Sequence, residues 1–186
     1  MLEMSIDSLR VNSASNQYVM LLQENEGDRY LPIWIGPAEA NAIAMEIQGV
    51  KPPRPLTHDL LISIINALGA SLDSIVVTEL QDEIFYASLV LSLDGDQMEV
   101  DSRPSDAIAL AVRTNVPVYA EESVLDQAAV LIDPETGTAI PQSEGNQETG
   151  AQQESQDLSA FRDVVEGLDL EGLDRNKQNR GDQGTQ

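Results

Sequence analysis

Seven consecutive residues, Val100-Asp101-Ser102-Arg103-Pro104-Ser105-Asp106, gather two carboxylates, two hydroxyls and a guanidinium, and the apolar run Ala107 to Val112 follows without a break. An upstream stretch has the same grammar: Arg54-Pro55-Leu56-Thr57-His58-Asp59 leads into the apolar run that ends at Leu68. Such sets suit phosphoryl chemistry. Breaking a phosphodiester needs an activated water, neutralised charge on the phosphate and help for the leaving oxygen; carboxylates holding Mg²⁺ or Mn²⁺ commonly meet the first and third needs. Asp101, Asp106 and Asp59 are the candidate metal carboxylates, with Glu39 as a more distant fourth. Arg54 and Arg103 each stand beside a helix start, where free amides and the helix dipole favour an anion. Thr57, Ser102 and Ser105 add hydroxyls to grip the same phosphate. His58, the single histidine, can serve as general acid or base, or as a ligand to a transition metal.

Each of these residues also has a purely structural use. Asp59, Asp106 and Glu39 fall in first helical turns, where an acid stabilises the dipole by about 0.3–1 kcal/mol with no metal at all. Arg103 can pair with Asp101 or Asp106, and Arg54 with Asp59. A histidine in a first turn can cap or pack, and Trp34, among apolar strand residues, belongs to a core or an interface. Geometry separates three functions. A metal-dependent nuclease needs the acids to converge within metal-bridging distance. An anion-binding module needs the arginines to converge while the acids do not. An oligomeric interaction protein has both sets paired and closed to solvent.

The elements that carry these residues follow from periodicity and turn signals. Met4 to Asn12 alternates loosely, Ser13 to Asn16 reads as a turn, and Gln17 to Glu24 and Arg29 to Ile35 read as strands around the hairpin turn Asn25 to Asp28. Pro32 cannot donate to a ladder, which predicts an edge or a bulge there. Ala38 to Gln48 carries Ala40, Ile43, Ala44 and Ile47 at helical spacing. The helix after Arg54 is closed by Gly69, and strands follow at Leu72 to Gln81, Ile84 to Leu93 and Gln97 to Val100. Pro104 suits a first helical turn, with Ser102 or Ser105 as cap. That central helix runs to about Asn115, followed by a short strand at Pro117 to Tyr119 and a short helix from Glu122 to Val130.

Charge narrows the partners. The chain has 186 residues, 32 acids against 10 Lys and Arg, and a formal charge of −22. The acidity is not confined to one end: up to Leu125 there are 19 acids against 6 basic residues. Such a surface repels polyanions at long range, which disfavours broad non-specific binding to duplex nucleic acid. With no cysteine there is no disulfide, thiolate metal site or cysteine nucleophile. No apolar run reaches membrane-spanning length and no signal peptide is recognisable, so the expected location is the cytoplasm, with no membrane partner.

Three blocks in sequence order carry a family resemblance: Leu31-Pro32-Ile33-Trp34-Ile35-Gly36 with Glu39-Ala40 and Ile43-Ala44; Arg54 to Leu60; and Asp101 to Arg113. Together they resemble the bifunctional nuclease domain family, over roughly residues 4 to 130. The resemblance implies a compact α+β domain, often oligomeric, and a nuclease acting on RNA and DNA. The expected fold is therefore α+β, a mixed or mainly antiparallel β-sheet flanked by helices in one domain over 1–132. A disordered linker is expected over 133–156 and an acidic tail over 157–186, with one amphipathic segment, Leu158 to Leu173. The expected function is metal-assisted hydrolysis of RNA or DNA by a homo-oligomer, with Mg or Mn as the ion. The alternative is a non-catalytic oligomeric module binding a nucleotide, a phosphometabolite or a protein partner.

Overall fold

The computed structural model describes residues 1–12, 17–132 and 139–141. Strands β1 (Leu2–Asn12), β2 (Gln17–Glu24) and β3 (Arg29–Ile35) form a meander, followed by helices α1 (Pro37–Ile47) and α2 (Thr57–Ala67). A second meander, β4 (Ser71–Gln81), β5 (Ile84–Leu93) and β6 (Asp96–Ser102), leads into α3 (Pro104–Thr114). The chain continues through β7 (Val118–Ala120), α4 (Glu122–Ala128), β8 (Val130–Ile132) and β9 (Ala139–Pro141). Among the described residues these strands make one sheet in the order β6-β5-β4-β7-β1-β2-β3-β8-β9. Strand β7 joins the two meanders: Val118 lies opposite Ile75 in a parallel pair with β4, and opposite Met4 in an antiparallel pair with β1. All other pairs are antiparallel, so the sheet is mixed and the fold is α+β, as expected.

Local chemistry explains the joints. Asp94 and Gly95 both take left-handed φ, 54° and 92°, the conformation that lets a two-residue turn follow the twist of its strands. Gly69, at φ 83°, ends α2 as expected. Pro32 sits opposite Leu21 of β2, whereas β8 pairs only with Arg29 and Tyr30. The missing N–H thus falls where β3 has no second neighbour among the described residues. Neither expected hydroxyl cap forms on α3. Arg103 is the N-cap, with extended backbone and no side-chain cap, and the Ser102 hydroxyl donates instead to the Arg103 carbonyl.

The sheet curls around α3. That helix packs on β3, β4 and β5, and α4 on β4 and β3, although β3 and β4 are separated by three strands in the sheet order. Residues Ala107 to Ala111 are accordingly buried on all sides, which is why their sequence is apolar without a polar face. Ile108 and Leu110, both fully buried, contribute roughly 1.5–3 kcal/mol each. Ala107, Ala109 and Ala111 keep α3 slim, as Ala40, Ala42 and Ala44 do α1, and these two helices make the closest interhelical packing. Trp34 is half-buried on β3. No helix among the described residues is long and apolar enough to cross a membrane. The turn Ser13 to Asn16 and the amphipathic segment Leu158 to Leu173 lie outside the described residues. Of the expected linker only Ala139–Pro141 is described, as the strand paired with β8.

Candidate functional site

Helices α1, α2 and α3 begin alike. Each N-cap, Gly36, Leu56 and Arg103, has extended backbone, and the third residue of each helix is an acid: Glu39, Asp59 and Asp106. Free amides and the positive dipole end favour a carboxylate at that position. Asp59 meets the need directly, its Oδ2 accepting the Leu56 N–H at 2.7 Å. Side chains then bring the three starts together. Arg103 donates from Nε to Asp106 Oδ2 at 2.7 Å and from Nη2 to Glu39 Oε1 at 2.8 Å, joining α3 to α1. His58 Nε2 lies 3.1 Å from Asp106 Oδ1, joining α2 to α3. Gly36 makes room for this arrangement, because a Cβ there would meet the Glu39 carboxylate.

Behind the first network lies a second. Arg113, whose side chain is only 5 % exposed, donates from Nε to Asp59 Oδ1 at 2.7 Å, from Nη1 to the Ala109 carbonyl at 2.7 Å and from Nη2 to the Ala42 carbonyl at 3.0 Å. One buried guanidinium thus links α2, α3 and α1 beneath the surface occupied by Arg103. The sequence reading did not single Arg113 out. Its signal was there: it lies seven residues after Asp106, on the same face of α3, at the end of an otherwise apolar helix.

The remaining predicted residues lie around this centre or away from it. Thr57 is exposed in the first turn of α2, and Ser105 is buried in the first turn of α3. Arg54, two residues before the α2 N-cap, is exposed and makes no hydrogen bond or ion pair among the described residues. Asp101 stands apart. It pairs with Ser88 on the sheet's outer strand β6, next to the Ser102–Ala87 pair whose Ala87 lies in the core, so alternation turns Asp101 to the opposite face.

Electrostatics follow from these contacts. Burial alone would raise the Asp106 pKa, but hydrogen bonds from Arg103 and His58, and their charge, outweigh it and hold the carboxyl below the usual range. Asp59 behaves likewise: burial raises it, and the Leu56 N–H and Arg113 bring it below. Arg103 is raised, chiefly by its bond to Asp106 and then by that to Glu39. A depressed folded pKa stabilises the fold above the unfolded value and loses that stabilisation as pH falls through the folded value. Unfolding free energy is therefore expected to decline as pH drops past the ordinary aspartate value of 3.8. Denaturant titrations at stepwise lower pH check this, and Asp59→Asn should flatten the decline; an unchanged slope in that variant would contradict the assignment.

Two chemical properties result. Ionised Asp106 can only accept, so in this contact His58 Nε2 is the donor and Nδ1 is the ring nitrogen left for other partners. Arg103, 67 % exposed at its side chain, uses two of its five N–H groups on carboxylates and keeps three for an incoming anion. The arrangement combines two of the three expected geometries: the acids Glu39 and Asp106 converge, yet on a guanidinium that remains open to solvent. Among the described residues no three His, Asp or Glu side chains form a group able to hold a metal ion. Arg103 stands where a cation between Glu39 and Asp106 would have to sit, so these side chains as arranged do not fit a resident Mg²⁺ or Mn²⁺.

Comparison with known proteins gives this arrangement its family. The bifunctional nuclease domain profile matches residues 20–133, which hold all three helix starts. The chain belongs to that family. Within the bifunctional nuclease domain family it is 50 % identical over 146 residues to an uncharacterised protein of Mycobacterium tuberculosis, covering 76 % of this chain and 87 % of that one. It is 25 % identical over 116 residues to bifunctional nuclease 1 of Oryza sativa subsp. indica, covering 61 % of this chain and 35 % of the plant protein. Against bifunctional nuclease 2 of Arabidopsis thaliana the identity is 27 % over 139 residues, covering 72 % and 42 %. The chain thus spans well under half the length of these plant relatives.

Proposed function

We propose that this chain is a nuclease that hydrolyses phosphodiester bonds of RNA, DNA or both, acting in the cytoplasm as a homo-oligomer. The observation that carries the reading is the Arg103 guanidinium, open to solvent and held by two carboxylates beside the His58–Asp106 pair. Family membership and the printed names of the plant relatives support it. In this reading Arg103 and the exposed Arg54 hold the scissile phosphate, aided by the hydroxyls of Thr57, Ser102 and Ser105 and the amides of the helix starts. His58 accepts a proton at Nδ1 from the attacking water, while Asp106 fixes the ring through Nε2 and stabilises the imidazolium that forms. Asp59 acts through Arg113, holding the α2 start in place. Mg²⁺ or Mn²⁺, in this reading, would arrive with substrate phosphates rather than reside in the free protein, a common habit of Mg²⁺ sites; Glu39 and Asp106 would be the carboxylates nearest to it, whereas Asp101 faces away. The charge of −22 favours short single strands over duplex.

Labelled single-stranded RNA and DNA, incubated with highly purified protein in Mg²⁺, Mn²⁺ or EDTA, test the reading. Cleavage in at least one condition supports it, and the EDTA arm decides the role of the ion. Folded protein that cleaves none of these substrates would shift the function to an anion-binding module. That second reading draws on one observation: Glu39, Asp59 and Asp106 are each already neutralised by an arginine.

A further inference from the structure

Helix α2 is apolar over a wider arc than its own domain covers. At about 100° per residue, His58, Ile62 and Ile65 share one side and face the domain, with His58 and Ile65 buried and Ile62 packed against the core. Leu60, Leu61, Ile64 and Leu68 form an adjoining stripe about 100° wide, and they are 55, 38, 46 and 72 % exposed. A stripe that wide is what a helix normally buries against a neighbour, and four large aliphatic side chains in one row exceed the scattered apolar exposure of an ordinary surface.

Charge identifies the neighbour. No Asp, Glu, Lys or Arg occurs between Asp59 and Asp73, in a chain where 23 % of residues are charged. Two molecules of charge −22 repel one another over most of their surface, so they can approach closely only through a face that carries none of that charge. A basic partner drawn by the acids would find nothing on this stripe to pair with. The open strand β6 is a poor alternative seam: side by side, two antiparallel copies would bring Asp96, Glu99 and Asp101 against the same acids of the other.

We propose that the stripe Leu60, Leu61, Ile64 and Leu68 is the seam between two copies of this chain, α2 packed on α2 about a twofold axis. This rests on the homo-oligomer in the function proposed above and says where its subunits meet. The seam begins half a turn from His58, so self-association holds the α2 start that carries the histidine.

Sedimentation equilibrium of the full chain and of Ile64→Lys, Leu68→Glu and Glu99→Lys tests it. The expected result is a mass of at least two chains for the unmodified protein and for Glu99→Lys. Ile64→Lys and Leu68→Glu should each fall to one chain, 20.2 kDa, with unchanged helical circular dichroism. Assembly that persists undiminished in both stripe variants would overturn the seam while leaving the oligomer standing. A one-chain mass for the unmodified protein across a wide concentration range would overturn both. Cleavage by the same preparation reports separately on the nuclease reading.

Discussion

Replacing Arg113 by alanine is expected to lower the midpoint of thermal unfolding by about 10 °C, corresponding to roughly 3 kcal/mol for a domain of this size. The guanidinium is almost wholly enclosed and donates to the Asp59 carboxylate and to two main-chain carbonyls, Ala109 and Ala42. Its removal leaves a carboxylate without its counter-ion and takes from the Ala42 carbonyl the donor that ties it to α3, and the deficit falls between helices. Asp59 is 31 % exposed and can partly rehydrate, which keeps the cost near the lower end of what a broken buried pair causes. Arg113→Met combined with Asp59→Asn should recover part of the loss, because neither partner is then left charged and alone. Thermal melts of the single and double variants check this. Equal destabilisation by the double change and the sum of the singles would mean that the two side chains do not act together.

That arginine also marks where the sequence stops being informative. Arg103, Asp106, His58 and Asp59 could be assigned to two helix starts because Arg-Pro, hydroxyls and first-turn acids are local signals, read over six or seven residues. Whether the two starts touch is a matter of how the sheet curls, and a single joint, β7 between β4 and β1, decides that. Nothing local points from Arg113 to its partners: Asp59 is 54 residues away and the acceptor Ala42 is 71 away. Asp101 lies apart for a different reason. Its neighbours in sequence are site residues, but in a strand the face is set by register, and a partner of Ser88 is turned away from a partner of Ala87. The hydroxyl caps failed because Arg103, not a serine, occupies the N-cap, with Pro104 following as the first helical residue. On α2 the apolar spacing marked a helix, yet nothing local divides an arc covered by the domain from one left open.

Arg103→Ala is expected to separate function from stability. If Arg103 holds the phosphate, cleavage should fall by 10²–10³-fold, the usual cost of removing a donor aimed at developing charge, which is about 3–4 kcal/mol of transition-state stabilisation. The fold should lose far less. The side chain is 67 % exposed, and exposed ion pairs contribute about 0.2–1 kcal/mol, so the melting midpoint should drop by only a few degrees. Part of that small cost comes from what remains: without the guanidinium, the Glu39 and Asp106 carboxylates face one another with no cation between them. Arg103→Lys refines the test. A single ammonium keeps the charge but cannot bridge two carboxylates and still present a planar pair of donors to a phosphate, so activity should recover only in part while stability recovers almost fully. The comparison with Arg113→Ala is what gives the result meaning, since both arginines pair with carboxylates at the same helix starts. A melting loss in Arg103→Ala as large as in Arg113→Ala would make both arginines structural clamps. Undiminished cleavage by Arg103→Ala would remove the site from this position altogether. Near-complete loss of cleavage in a protein that melts almost normally would leave Arg103 as the residue that meets the substrate and Arg113 as the one that holds its frame.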